Sequence, residues 1–145
     1  MRTPQQQYAI DARGTNLLVS AAAGAGKTTV LVDRILSMIR DDGIRLSQML
    51  IVTFTRDAAN VMRRRLAQRL EEAAAEESGE RAAFFARELD GLSDADISTM
   101  DTFCQKFLRR HFAAADIPAD FRIADDQTMQ SLRRSAAQEL LEEQY

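Results

Sequence analysis

Short apolar runs alternate with amphipathic segments along the first half of the chain. Two runs, residues 16–20 and 49–54, have the length and composition of buried β-strands. The segment after the first run places apolar side chains at i, i+4, i+7 and i+8, the spacing of one helix face. Those side chains are Leu31, Ile35, Met38 and Ile39, and a similar stripe of Ala58, Val61, Met62 and Leu66 follows the second run. This alternation predicts parallel strands joined by crossover helices, which is an α/β fold.

Capping signals and charge changes predict the other elements. Thr3 followed by Pro4 is typical of a helix start, and this helix extends to about Arg13. Gly43 ends the second helix, and Thr55 can cap the third. The remaining predicted elements are an acidic helix end and loop at 71–80, a helix near 81–89, a short strand at 96–100, and helices at 101–115 and 126–145. The last helix ends in glutamates, where the helix dipole favours cations, so we expect the protein to continue beyond it.

Composition indicates a folded globular domain. Of the 145 residues, 46% are hydrophobic and 28% are charged, which separates the chain from disordered proteins. No apolar run is long enough to span a bilayer and the first residues lack an apolar signal core, so we expect a cytoplasmic protein without a membrane partner. The single cysteine, Cys104, excludes an internal disulfide and suits a reducing compartment.

Charge is unevenly distributed along the chain. The net charge of −3 divides into +6 for residues 1–70 and −9 for residues 71–145. A basic half could contact a polyanion, but two solvated helical faces explain the same distribution without a partner.

A phosphate-binding loop is predicted between the first strand and its helix. The sequence GAGKT at residues 24–28 has the glycine spacing of loops whose backbone N–H groups turn towards a β-phosphate. In such a loop Lys27 would contact the β- and γ-phosphates, and the Thr28 hydroxyl would be a Mg²⁺ ligand. Ala21 replaces the usual outer glycine, and a small side chain there should permit the same bend. An ordinary glycine turn before a helix is the alternative.

Three further groups of residues are candidates for ligand contacts. The amide of Gln6 could recognise an adenine edge, and the alternative is a solvated surface residue. Phe54 could stack on a base while Thr53 and Thr55 bond phosphates, and the alternative is a core phenylalanine. Arg63 to Arg65 spread around about 200° of their helix, so at least one of them must face solvent.

The sequence does not supply a convincing acid for ATP hydrolysis. A phosphate-loop ATPase needs acidic residues at the ends of neighbouring strands to hold Mg²⁺ and to orient the attacking water. Asp101 follows polar residues, and Asp125 and Asp126 follow an apolar segment that Arg122 interrupts. Neither pattern fits such a strand.

Four stretches of the chain, taken in order, resemble the start of superfamily 1 DNA helicases of the UvrD/RecB kind. They are TPQQQYAI (3–10), NLLVSAAAGAGKTTVLVDRI (16–35), LIVTFTRDAANVMRRRL (50–66) and ISTMDTFCQKFLRRHF (97–112). The last stretch, with IPADFRIADDQ (117–127) and ELLEEQY (139–145), is most similar to AddA-type subunits of bacterial helicase-nucleases. Alanine at position 21 is usual in this family.

The resemblance implies part of a RecA-like P-loop NTPase domain that binds ATP and Mg²⁺. It places nucleotide contacts at Gln6, Ala21, Ala22, Ala23, Gly24, Ala25, Gly26, Lys27, Thr28 and Thr29. Lys27 and Thr28 would be the catalytic pair, with Thr28 also binding Mg²⁺. Candidate DNA contacts are Thr53, Phe54, Thr55, Arg63, Thr99, Asp101 and Phe103. The chain departs from common family residues at Thr29, Arg56, Val61 and Asp101.

The resemblance also implies a domain plan and a partner. Residues 1–115 would carry the core motifs, and 116–145 would be a helical segment leading into an inserted subdomain. The acidic pair, the second RecA-like domain and the nuclease domain would follow residue 145. The whole protein would couple ATP hydrolysis to translocation on single-stranded DNA at double-strand ends, together with a partner of the AddB type, and these 145 residues alone would not turn over ATP.

Two other functions remain open at this point. A small phosphotransferase of the nucleotide kinase kind would need an acceptor site and an arginine-bearing lid, and no lid pattern is found. A noncatalytic DNA-binding module with a vestigial loop is the other alternative, and the intact Lys27 and Thr28 argue against it.

Overall fold

The computed structural model describes residues 2–22 and 24–144. Within them the chain forms six α-helices and two strands. In chain order these are α1 (Pro4–Asp11), α2 (Lys27–Asp42), β1 (Leu50–Thr53), α3 (Arg56–Glu76), α4 (Gly79–Asp90), β2 (Asp96–Thr99), α5 (Met100–Arg110) and α6 (Asp126–Gln144). Short 3-10 turns lie at Leu46–Gln48 and Gly91–Ser93. The mixed helix and strand content confirms an α/β fold.

The two strands are parallel and in register. Leu50 pairs with Asp96 at one end and Thr53 with Thr99 at the other. The sequence pattern predicts a parallel arrangement of β1 with the run at residues 16–20; the observed parallel pair joins β1 to β2 instead, so β1 has a different partner from the predicted one. Because β1 and β2 are parallel, the segments after both strands leave the sheet at the same edge.

Residues 16–20 do not form the predicted strand. No β-structure is assigned to them, and Leu18 and Val19 are exposed while Leu17 packs against the small cluster of Ala9, Ile10 and Val30. A short apolar run becomes a strand only when a neighbour supplies hydrogen bonds. Among residues 2–22 and 24–144 the sheet consists of β1 and β2 alone, so this run has no strand to pair with.

The main core lies where α2, α3 and α4 cover the strands. Its most deeply buried members are Ile39, Leu66, Leu70, Phe85 and Ile97. The helix boundaries follow the sequence signals. Thr3 caps the start of α1, Thr55 caps the start of α3, and Gly43 ends α2 in the left-handed region.

Some predicted helix faces are displaced. In α3 the buried side chains include Ala59, Met62 and Leu66, whereas Ala58, which the sequence pattern placed in the apolar stripe, is exposed. In α2 the prediction holds for Ile35 and Ile39, whereas Leu31 is exposed. The buried stripe of each helix is therefore rotated from the face that the sequence pattern indicated.

The chain divides into two compact units. One extends to Gln105 and contains α1 to α4 and both strands, and the other begins at Lys106 and contains α6. The boundary that the resemblance implies, between core motifs at 1–115 and a helical segment at 116–145, stays a prediction. Along the described residues, no helix combines the length and the apolar character needed to cross a membrane.

Candidate nucleotide and nucleic-acid sites

The loop before α2 is shaped by two glycines in the left-handed region. Gly24 has φ 78° and Gly26 has φ 82°, a conformation that other residues adopt only with strain. Gly26 is also the N-cap of α2, and no side chain caps this helix start. The first N–H groups of α2 are therefore left for another acceptor.

Lys27 lies across this loop. Its Nζ donates hydrogen bonds to the carbonyl oxygens of Ala21 and Ala22, the second at 2.8 Å. The backbone N–H of Ala25 also donates to the Ala22 oxygen, at 3.3 Å. The ammonium is thus held over the loop by exposed bonds that water or a ligand can replace.

The other predicted nucleotide contacts lie in or beside this loop. Thr28 and Thr29 begin α2 and are both exposed. Ala21 and Ala22 are exposed as well, whereas Ala23 lies outside the described residues. Thr28 presents a hydroxyl in the first turn of α2, next to Lys27.

Gln6 connects α1 to the loop. Its Oε1 accepts a hydrogen bond from the Thr3 backbone N–H at 2.9 Å, and the Thr3 hydroxyl accepts one from the Gln6 backbone N–H at 3.2 Å. Its Nε2 donates to the Ala25 carbonyl at 3.3 Å. A Cβ built on Gly26 would lie 3.6 Å from the same Nε2. Gln6 is therefore beside the loop, where the sequence interpretation requires it.

The donor set is compatible with a partial Mg²⁺ site. Within the described residues no cluster of three or more His, Cys, Asp or Glu side chains could hold a metal ion. Mg²⁺ commonly binds one or two protein oxygens and completes its shell with phosphate oxygens and waters. The exposed Thr28 hydroxyl fits that role, and the first turn of α2 carries no acidic residue to oppose an anion there.

The candidate nucleic-acid contacts gather at one edge of the sheet. Thr53 and Thr99 are register partners at the carboxyl ends of β1 and β2. Phe54 follows Thr53 directly and its side chain is fully exposed, so the core alternative for Phe54 is wrong. The Thr55 hydroxyl accepts from the Ala58 N–H at 3.1 Å and so caps α3.

The second strand leads into a similar junction. The Thr99 hydroxyl accepts a hydrogen bond from the Thr102 backbone N–H at 3.2 Å and lies 2.9 Å from the Thr102 hydroxyl. Asp101 is exposed and Phe103 is half-buried in the first turn of α5. On α3, Arg63 is half-buried while Arg64 and Arg65 are exposed, which confirms that this basic run faces solvent in part.

Asp125 has a structural role in the second unit. Its Oδ1 accepts from the Thr128 backbone N–H at 2.8 Å at the start of α6. The hydrogen bond from the Thr128 backbone, followed by one from the Thr128 side chain, lowers the pKa of Asp125 below its usual value of 3.8. The carboxylate is thus engaged in capping α6.

Sequence reasoning missed an ion-pair cluster on α2. The buried carboxylate of Asp33 pairs with Arg2 at 2.8 Å and with Arg69 at 3.1 Å. A signal was present, because Asp33 lies between Val32 and Leu36 on the apolar face of an amphipathic helix. A carboxylate at such a position predicts cationic partners.

Comparisons with known proteins show which family and which relatives the chain is similar to. The model of the family described as "UvrD/REP helicase N-terminal domain" matches residues 2–145. The chain is 47% identical over 143 residues to the A-type "ATP-dependent helicase/nuclease" subunit of Alkaliphilus metalliredigens and 44% identical over 143 residues to the protein of the same name from Alkaliphilus oremlandii. The protein of that name from Desulforamulus reducens is 45% identical over 145 residues. Each match covers 99% of this chain and 12% of the relative.

Proposed function

Because the chain belongs to the UvrD/REP helicase N-terminal domain family, we propose that it is the ATP-binding part of the first RecA-like domain of a DNA helicase/nuclease. The observation that carries the proposal is the loop itself. Lys27 spans a turn made by two left-handed glycines, at a helix start with no side-chain cap. This arrangement presents an ammonium and backbone N–H groups to one anion.

Each residue of the loop has a distinct part in binding ATP. Lys27 would exchange its two carbonyl partners for the β- and γ-phosphates, and the N–H groups of the loop and of α2 would hold the β-phosphate. The Thr28 hydroxyl would bind Mg²⁺, which neutralises phosphate charge when bound. Gln6 would recognise the adenine edge, because its amide is already held beside the loop by Thr3 and Ala25.

The carboxyl edge of the sheet would contact single-stranded DNA. Phe54 offers an exposed ring for base stacking, and Thr53 and Thr99 lie side by side in the sheet register. Asp101, Phe103 and Arg63 would flank this surface. Such contacts are tolerant of sequence, as a protein that moves along DNA requires.

The activity of the whole protein would depend on parts outside these residues. The chain spans 12% of the length of its relatives, whose names contain both helicase and nuclease. We infer that the whole protein couples ATP hydrolysis to translocation on single-stranded DNA at double-strand ends, in repair and recombination. It would do so with a partner of the AddB type, since each relative is named as one member of a multi-subunit enzyme.

The test is ATP binding and turnover by the 145-residue chain, with and without single-stranded DNA. We expect Mg²⁺-dependent binding of ATP and no turnover, because neither Asp101 nor Asp125 has the sequence pattern of a strand-end catalytic acid. DNA-stimulated turnover would show that an acid such as Asp101 completes the site. DNA-independent turnover would favour a phosphotransferase, and salt-dependent DNA binding without nucleotide binding would favour a noncatalytic DNA module.

A further inference from the structure

Asp33 is a buried carboxylate whose two oxygens contact arginines on different elements. Its side chain is only 5% exposed, with Oδ2 2.8 Å from Arg2 Nη2 and Oδ1 3.1 Å from Arg69 Nη2. A buried carboxylate that loses a cationic partner keeps its desolvation cost without compensation. Arg2 and Arg69 share the compensation of this cost, so the contact with Arg2 contributes more than an ordinary pair between two exposed side chains.

Arg2 leads directly into the contacts that orient Gln6. The next residue, Thr3, caps α1 and exchanges two hydrogen bonds with Gln6. Gln6 in turn donates to the Ala25 carbonyl of the loop. These contacts form a closed path that leaves α2 at Asp33, passes through the start of α1, and returns to the loop just before α2.

The path fixes how the Gln6 amide is turned. An amide side chain has two N–H donors and two acceptor positions. Thr3 occupies one acceptor position and Ala25 accepts from one donor, which leaves one donor and one acceptor for the adenine edge. Adenine presents an acceptor at N7 and a donor at N6, the complement of that pair.

We propose that Arg2 and Asp33 are positioning residues for adenine recognition by Gln6. The proposal rests on the adenine-recognising role proposed above for Gln6. Loss of the Arg2–Asp33 contact would release the start of α1 and allow the amide to turn. The phosphate contacts of Lys27 would be unaffected, because Lys27 is held by the loop itself.

The other end of α1 offers a matched control. Arg13 donates to the Ser37 hydroxyl at 2.8 Å and to the Ile10 carbonyl at 2.7 Å, so it joins α1 to α2 far from Gln6. Arg13→Gln removes an arginine contact between the same two helices. It leaves the cap at Thr3 in place.

The experiment compares dissociation constants of ATP and inosine triphosphate for the 145-residue chain and its variants. Inosine triphosphate carries a carbonyl oxygen where ATP carries the N6 amine, so it cannot donate to Gln6 Oε1. We expect the unmodified chain to prefer ATP by about fivefold or more, the value of one hydrogen bond. Gln6→Ala should abolish the preference. Arg2→Gln should reduce the difference in binding free energy between ATP and inosine triphosphate by at least about half.

A purely structural role for Arg2 would instead weaken the binding of both nucleotides equally. Under the proposal, Arg2→Gln should weaken ATP binding more than inosine triphosphate binding, because only the N6 contact is specific to ATP. Arg2→Lys should restore part of the preference, and Arg13→Gln should keep it. An equal loss of both affinities in Arg2→Gln, or an unchanged preference while Gln6→Ala loses it, would overturn the inference. An unchanged preference in Gln6→Ala would instead refute the role of Gln6. Asp33→Asn is a second variant, and if it does not fold, the half-exposed Arg2 still permits the test.

Discussion

Replacement of Lys27 by alanine tests the nucleotide site most directly. An ammonium has three donors, and in the structure two of them are given to the Ala21 and Ala22 carbonyls. ATP binding would exchange these bonds for bonds to phosphate oxygens, in which both partners are charged. The binding free energy that Lys27 contributes is therefore the difference between its bonds to the phosphates and its bonds to the two carbonyls.

The size of that difference sets the expected loss. A hydrogen bond to a charged group contributes about 1.5–3 kcal/mol, and the loss of the two carbonyl bonds limits the net binding free energy from Lys27 to about 2 kcal/mol. This free energy corresponds to an affinity lower by about 30-fold. Because Lys27 is exposed, the free energy of unfolding should change by less than about 0.5 kcal/mol.

The assay is equilibrium binding of a fluorescent ATP analogue with Mg²⁺, with thermal unfolding measured on the same samples. Lys106→Ala is the matched control, because it removes the other lysine of the chain and changes net charge equally. It should bind ATP as the unmodified chain does. The proposed role of Lys27 is refuted if Lys27→Ala binds within about twofold of the unmodified chain, or if both variants lose affinity equally.

Three further changes probe other parts of the molecule. Phe54→Ala should weaken single-stranded DNA binding by about 1–3 kcal/mol in a fluorescence anisotropy titration, since one stacking ring is lost, while Phe112→Ala should not. Phe85→Ala should lower the free energy of unfolding by about 3–5 kcal/mol in a urea titration, because this ring is fully buried, whereas the exposed Phe54 can be removed without such a loss. An NMR titration of Asp125 should give a pKa below 3.8, and Thr128→Val should raise it. Because the folded pKa is lowered, the cap stabilises α6 above the usual pKa and is lost as pH falls through the lowered value.

Local signals predicted the element starts and ends. Thr55 before a polar and apolar run predicted the start of α3, and Gly43 predicted the end of α2, because each satisfies backbone groups within a few residues. The order of elements also predicted a parallel strand at residues 49–54, although its partner is β2 and not the run at 16–20. These features depend on contacts that are close in sequence or on topology alone.

Features that depend on distant partners were not predicted. Residues 16–20 were expected to be a strand, and the described residues provide no neighbour for them. The burial of Asp33 depends on Arg2 and Arg69, which are 31 and 36 positions away along the chain. The hydrophobic periodicity shows the apolar positions around Asp33, but it does not identify the arginines that contact the Asp33 carboxylate. The candidate loop was predictable because its function requires consecutive residues.

The three candidate contact segments all lie at helix starts, but they differ in what is left for a ligand. The Thr55 hydroxyl caps α3, and the Thr99 hydroxyl accepts a hydrogen bond from the Thr102 N–H in α5. At both helix starts a backbone N–H therefore already has a side-chain acceptor. Of the three, α2 alone begins without a side-chain cap, after Gly26. Backbone N–H groups near this helix start, together with its dipole, thus favour a phosphate there. Contacts at the other two starts would have to come from side chains such as Phe54. Nucleotide affinity should therefore depend on Lys27 and DNA affinity on Phe54, and a variant of one should leave the other ligand's affinity unchanged in this chain.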